Sequence, residues 1–133
     1  MTESCGPIPE RCLETTPTPQ SGFVFGTAQL GMDYGRVNFA GKPTEHVALE
    51  MLRYVVAHGV SALDTARAYG EAERLIGESL TGTWQSQTHV ITKLDLSNID
   101  EEASESEVRK SVDASVDASC RALRTEKLDT LLL

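Results

Sequence analysis

The chain has 133 residues, of which 40% are apolar; this suits one domain with a buried core and excludes disorder throughout. Twelve basic against twenty acidic residues give a net charge of −8, which argues against a nucleic-acid surface and a polybasic membrane patch. No apolar run approaches the roughly 20 residues of a membrane span, and no signal peptide is evident. The three cysteines, an odd number, do not form a disulfide framework, so we expect a reducing cytoplasm.

Residues 1–21 are predicted to form a flexible leader. Four of the five prolines fall in it among Thr, Ser and Glu, a composition that buries too little apolar surface to order itself. Cys5 and Cys12 lie in this leader without a histidine near them, so we predict no metal site.

A first strand is predicted over residues 22–30. Its apolar run 23–25 is continuous enough to be buried on both faces. The spacing of Gly26, Gly31 and Gly35 matches neither glycine pattern that cradles phosphates, so it does not indicate a nucleotide loop.

A first helix is predicted to begin after Thr44, which can cap it, and to be closed by Gly59 in a left-handed conformation. Its helical spacing is carried by Ala48, Met51, Leu52 and Val55. Residues 60–64 then read as the second strand. Residues 71–80 read as the second helix. The inner side of that helix is predicted to carry Ala72, Leu75, Ile76 and Leu80.

Residues 89–94 are rich in β-branched side chains and are predicted to be the third strand. Ser104 and Glu107 form a capping box for a long third helix. The inner face of this helix is predicted to carry Val108, Val112, Val116, Cys120 and Leu123. Residues 128–133 are predicted to be the fourth strand.

Strands and helices alternate over residues 22–133, which predicts an α/β fold with four parallel strands and three helices. Three and a half such units are close to half of a (β/α)8 TIM barrel of about 250 residues. An open doubly wound sheet of four strands is the alternative, and it is complete at this length.

Asp64 ends the second strand, Tyr69 lies in the turn after it, and Lys93 lies at the end of the third strand. Parallel strands bring these positions to one edge, where barrels bind ligands. Hydride delivery to a carbonyl needs a proton donor, and a phenol can serve if a nearby ammonium stabilises the phenolate. Alternatively, Asp64 starts a turn, Tyr69 fills the loop and Lys93 is solvated.

The chain resembles the aldo-keto reductases through four segments in the right order. These are GTAQLG at 26–31, LDTARAYGEAERLIG at 63–77, ITKLD at 91–95 and LDTLLL at 128–133. The resemblance implies an eight-fold barrel and NADPH-dependent reduction of a small-molecule aldehyde or ketone. It implies catalytic roles for Asp64, Tyr69 and Lys93. It also implies cofactor binding at the nicotinamide end by Gly26, Thr27, Ala28 and Asp64.

In this family a catalytic histidine directly follows the strand that LDTLLL resembles, and this sequence stops at Leu133. We expect these 133 residues to be the N-terminal half of such a barrel, to bind NADPH weakly or not at all, and to be inactive alone. Open sheet edges should favour self-association. A non-catalytic module of the same fold and Schiff-base lyase chemistry at Lys93 are the alternatives.

Overall fold

The computed structural model describes residues 8–11 and 20–133. The strands are β1 (Glu10–Arg11), β2 (Gln20–Ser21), β3 (Val24–Gly26), β4 (Ala62–Asp64), β5 (His89–Lys93) and β6 (Thr130–Leu132). The helices are α1 (Ala28–Gly31), α2 (Glu45–Ala57), α3 (Ala72–Ser79), α4 (Thr83–Gln87) and α5 (Glu105–Leu123).

Strands β3 to β6 form one parallel sheet in which the strand order follows the chain without a reversal. Right-handed crossovers that all run in one direction place α2, α3 and α5 on one face of the sheet. A doubly wound sheet would reverse direction and cover both faces. The partial (β/α)8 barrel predicted from the sequence is therefore confirmed, and the open doubly wound alternative is wrong.

The core lies between β4 and the three long helices. Its buried members are Leu30, Ala48, Leu52, Val60, Leu63, Leu75, Ile76, Leu80 and Leu123. Helix α3 packs against both α2 and α5. It approaches α5 at Gly77, where a Cβ atom would lie 2.2 Å from the carbonyl oxygen of Ala122. Glycine is therefore required for this close approach between the helices.

Most predicted elements are present within two residues of their expected bounds. Thr44 caps α2 by accepting a hydrogen bond from the Val47 N–H, and Gly59 has a φ of +92° as expected. The capping box of α5 is also present: Ser104 accepts from the Glu107 N–H while the Glu107 carboxylate accepts from the Ser104 N–H. Local side-chain chemistry therefore fixes where these helices begin and end.

The first strand differs from its prediction in length and burial. It ends at Gly26, and residues 28–31 form one helical turn instead. Phe23 and Val24 are 54% and 46% exposed, so the prediction of burial on both faces is wrong. The reason is that β3 is an edge strand of the described sheet, and the face away from the helices carries no second layer there.

The most buried side of helix α5 differs from the predicted stripe. The predicted stripe is half-buried except at Leu123, while Ser115 and Ser119 are buried. Ser115 Oγ accepts a hydrogen bond from the Asp95 N–H, so the serines serve both close packing and the backbone of the preceding loop. The short helices α1 and α4 were also not predicted. The described residues therefore contain five helices, where the sequence predicted three.

The predicted leader is described only in part. Residues 1–7 and 12–19, which include Cys5 and Cys12, lie outside the described residues. Strands β1 and β2 pair antiparallel, in contrast to the expected lack of structure at these four positions. Ser21 exchanges backbone-to-hydroxyl hydrogen bonds with Ser61, which ties this small ladder to the start of β4.

Candidate active site

Three strands place their carboxyl ends at one edge of the sheet. In the parallel register Gly26 is the partner of Asp64, and Asp64 is the partner of Ile91, two residues before Lys93. The loop that begins at Thr65 is bound to this edge, because the Thr65 N–H donates to the Ile91 carbonyl. The edge therefore carries the residues that the sequence singled out.

Lys93 and Asp64 form an ion pair at the end of their strands. The distance from Lys93 Nζ to Asp64 Oδ1 is 2.8 Å, and the same ammonium donates to the carbonyl oxygen of Thr65 at 3.0 Å. Both side chains are about two-thirds buried. Partial removal of solvent strengthens the attraction between the charges, so Asp64 holds the Lys93 ammonium in one place.

Tyr69 is the third member of this group. Its ring centroid lies 5.1 Å from Lys93 Nζ, within the range of a cation–π contact. The Lys93 ammonium thus touches the carboxylate of Asp64 and the aromatic ring of Tyr69 at once. The described structure thus brings the Lys93 amine against the Asp64 carboxylate and over the face of the Tyr69 ring.

The loop that carries Tyr69 is held by an unusually close backbone approach. A Cβ atom on Gly31 would lie 1.8 Å from the Tyr69 carbonyl oxygen and 2.5 Å from the Ala72 nitrogen. The Glu71 N–H donates to the Gly31 carbonyl at 3.2 Å, and Gly70 has a φ of +57° that favours glycine. Gly31, which ends GTAQLG, therefore permits the close packing of the Tyr69 loop.

The residues predicted to line the nicotinamide end lie beside Asp64. Gly26 leaves open space, since a Cβ built there meets nothing within 4 Å. Thr27 is fully buried, and its backbone N–H and side-chain hydroxyl both donate to the Asp64 carbonyl oxygen. Its hydroxyl therefore supports the turn after β3, while Gly26 and half-buried Ala28 adjoin the edge.

Sequence reasoning missed a buried polar network behind this edge. Glu73, whose side chain is 1% exposed, accepts hydrogen bonds from Thr92 Oγ1 at 2.8 Å and from Arg67 Nη1 at 2.5 Å. The sequence does hold a signal for it. Glu73 lies three and seven residues before Ile76 and Leu80, which places a carboxylate on the apolar stripe of α3.

Two carboxylates near the edge are held ionised. The Arg74 guanidinium lowers the pKa of Glu71, first through a hydrogen bond and then through its charge. Hydrogen bonds from Ser97, first through its side chain, lower the pKa of Asp95. Neither group is a proton donor near neutral pH, so they do not replace Tyr69 in that role.

None of the three histidines lies with this group. His89 Nε2 lies 2.8 Å from Thr130 Oγ1 at the opposite end of β5. His58 Nδ1 lies 2.7 Å from the Tyr54 carbonyl at the C-terminus of α2, as its position predicted. His46 lies on the exposed side of α2 beside Glu50.

A concave surface of about 880 Å³ lies between the loop 95–103 and α5. It includes Arg67 but not Asp64, Tyr69 or Lys93.

Over residues 8–11 and 20–133, no three His, Cys, Asp or Glu side chains cluster to hold a metal ion. No helix within the same ranges has the length and apolar character needed to cross a membrane.

A parallel sheet whose strand order follows the chain without a reversal, with its polar group at the carboxyl edge, is the architecture of (β/α)-barrel proteins. The family model of the aldo/keto reductase family matches residues 23–133. The chain belongs to the aldo/keto reductase family, as its four segments indicated.

Solved structures show the same architecture. A candidate aldo-keto reductase from Pseudomonas aeruginosa is 26% identical with a TM-score of 0.70, over 92% of this chain and 46% of that one. A thermostable aldo-keto reductase solved with the inhibitor epalrestat is 19% identical with a TM-score of 0.70, over 93% of this chain and 42% of that one.

A third structure, an aldo-keto reductase from Klebsiella pneumoniae in complex with NADPH, is 21% identical with a TM-score of 0.56. It covers 86% of this chain and 35% of that one. The chain thus spans less than half the length of these relatives. No curated protein sequence matches it.

Proposed function

We propose that residues 22–133 are the N-terminal half of a barrel that reduces an aldehyde or ketone with NADPH. Family membership supports the reaction class, and the likeness to relatives of about twice the length supports the half-barrel assignment. Three cysteines in the sequence, too few for a disulfide framework, support a cytoplasmic location as part of the same proposal.

The observation that carries the proposal is the position of the Lys93 ammonium between Asp64 and the ring of Tyr69. NADPH, when bound, supplies the hydride that adds to the carbonyl carbon. The Tyr69 hydroxyl gives its proton to the carbonyl oxygen as negative charge develops there, which leaves a phenolate. The Lys93 charge stabilises that phenolate, and Asp64 keeps the ammonium in place.

The described residues fit one end of NADPH better than the other. The open space at Gly26, beside Asp64, suits the approach of a flat nicotinamide ring. At the strand ends, however, Lys93 is neutralised by Asp64 and Arg67 by Glu73. Neither cation is left over for the phosphates, so we expect weak NADPH binding by these 133 residues. A fluorescence titration that gave micromolar affinity would contradict this expectation.

Schiff-base lyase chemistry fits the geometry less well. An amine must be neutral and free to attack a carbonyl, whereas Lys93 Nζ is ion-paired with Asp64 and bonded to the Thr65 carbonyl. In the non-catalytic alternative, the protein has the same fold but does not turn over a carbonyl substrate. Borohydride trapping of a substrate on Lys93 would favour the lyase, and absence of carbonyl-dependent NADPH oxidation would favour the non-catalytic module.

The decisive experiment compares two tyrosine variants. Tyr69→Phe removes the proposed proton donor, whereas Tyr54→Phe removes a hydroxyl on the exposed side of α2, where Tyr54 is 64% exposed. In a protein that contains the whole barrel, carbonyl-dependent NADPH oxidation is expected to fall about a hundredfold or more in Tyr69→Phe, the usual contribution of a general acid, and to stay unchanged in Tyr54→Phe.

The 133 residues alone are expected to be inactive, so the two variants are compared in a barrel that includes them. If the genomic bases past the Leu133 codon encode a histidine followed by further strand-and-helix pattern, this supports the half-barrel assignment. If the wild-type protein oxidises NADPH with a carbonyl substrate and Tyr69→Phe oxidises it equally well, the proposed role of Tyr69 is wrong.

A further inference from the structure

The buried carboxylate of Glu73 has no part in the proposed proton transfer. Its side chain is 1% exposed and lies on the core-facing side of α3. Burying a carboxylate is costly unless its oxygens are hydrogen-bonded and its charge is paired. A buried carboxylate of this kind therefore fixes the positions of the groups that bind it.

Both oxygens of Glu73 are bound, and each partner belongs to a different segment. Oε1 accepts from the Thr92 hydroxyl on β5 at 2.8 Å, and Oε2 accepts from the Arg67 guanidinium in the loop between β4 and α3. Thr92 is fully buried and Arg67 is about 70% buried. Glu73 thus joins α3, the end of β5 and the loop that contains Tyr69.

The partners of Glu73 are the chain neighbours of the candidate catalytic residues. Thr92 directly precedes Lys93, so on an extended strand their side chains point to opposite faces. Arg67 lies two residues before Tyr69, and its N–H donates to the Lys93 carbonyl at 3.3 Å. A displacement of Thr92 therefore moves Lys93, its neighbour in the chain, and a displacement of Arg67 moves Tyr69, two residues further on.

We propose that Glu73 is the positioning residue that fixes Lys93 and Tyr69 against each other from the helix side of the sheet. It touches neither substrate nor cofactor, and it acts through Thr92 and Arg67. This role rests on the proposed function for its importance in reduction. The geometry that it predicts is measurable without any turnover.

The primary test uses a matched pair at Thr92. Thr92→Val removes the hydrogen bond to Glu73 with little change in shape, while Thr92→Ser retains the hydroxyl. The readout is the rate at which an amine-acylating reagent labels Lys93, measured by mass spectrometry of peptides. Loss of one hydrogen bond to a carboxylate should raise that rate about tenfold in Thr92→Val, whereas Thr92→Ser should resemble wild type.

Two internal references separate positioning from loss of fold. Lys110 and Lys127 are exposed and lie on α5 and in the loop after it, so their labelling rates should not change. Glu73→Gln, which weakens the ion pair with Arg67, should raise the Lys93 rate at least as much as Thr92→Val. Glu78→Gln alters the same helix on the side that pairs with Arg74 and should leave the Lys93 rate unchanged.

Each result decides for or against the positioning role. A selective rise at Lys93 in Thr92→Val and Glu73→Gln, with rescue in Thr92→Ser, supports it. An unchanged Lys93 rate in folded Thr92→Val, or a parallel rise at Lys93, Lys110 and Lys127, overturns it. If labelling behaves as expected while Tyr69→Phe keeps full reductase activity, the positioning role stands and the proposed function fails.

Discussion

Gly31→Ala is expected to loosen the loop that carries Tyr69. The added Cβ would lie 1.8 Å from the Tyr69 carbonyl oxygen and 2.5 Å from the Ala72 nitrogen, both of them backbone atoms. Neither atom can rotate away as a flexible side chain would. The turn after β3 and the Tyr69 loop must therefore separate by more than about 1 Å, which is a large shift in a packed structure.

The magnitude follows from three contributions. Overpacking of this kind costs about 1–3 kcal/mol. The hydrogen bond from the Glu71 N–H to the Gly31 carbonyl lengthens, which costs about 1 kcal/mol more. Alanine regains up to about 1 kcal/mol over glycine in a helical turn. The net expectation is a loss of about 2 kcal/mol, a large share of the roughly 5–15 kcal/mol that stabilises a typical domain.

Urea unfolding, followed through the single tryptophan, Trp84, measures this loss. Gly26→Ala is the matched control, because it makes the same substitution five residues earlier, where a Cβ meets nothing within 4 Å. Its stability should stay within about 0.5 kcal/mol of wild type. Hydrogen exchange should accelerate at the Glu71 N–H in Gly31→Ala alone. Equal unfolding midpoints for the two variants would refute the close packing of Gly31 against the Tyr69 loop.

Three further predictions concern α5 and the sheet edges. Ser104→Ala should cost about 1 kcal/mol in urea unfolding, because it removes the N-cap of α5. Hydrogen bonds from Ser104 hold the pKa of Glu107 below its ordinary 4.5, so the stabilisation is present above that value and is lost as the pH falls through the lower folded value. The stability gap between wild type and Glu107→Ala should therefore close in acid. Light scattering should show concentration-dependent association through the edges of β3 and β6, weakened by Leu132→Lys; a stable micromolar monomer would contradict this.

Local patterns were sufficient to place most of the secondary structure. The spacing of Ala72, Leu75, Ile76 and Leu80 marked the buried side of α3, and all four are buried. The Ser104 and Glu107 pair marked the start of α5. Such features depend on residues within one or two turns of each other, and so a single sequence contains them in full.

Burial was predicted less well, because it depends on what a segment packs against. Phe23 and Val24 are as apolar as a core strand, yet β3 lies at the edge of the described sheet and they are exposed. On α5 the valines have the right period, but the buried positions are Ser115, Ser119 and Leu123. The period of a helix does not fix its rotation about its own axis.

For the candidate site, the sequence by itself determined which residues stand at the ends of strands: Asp64 at the end of β4 and Lys93 at the end of β5, with Tyr69 in the turn between β4 and α3. Only the tertiary structure decided that Lys93 contacts both partners and that Glu73 accepts hydrogen bonds from Thr92 and Arg67. The physical reason is that strand position is set by neighbours along the chain, whereas these contacts join residues that become neighbours only when parallel strands align and the helices pack on one face.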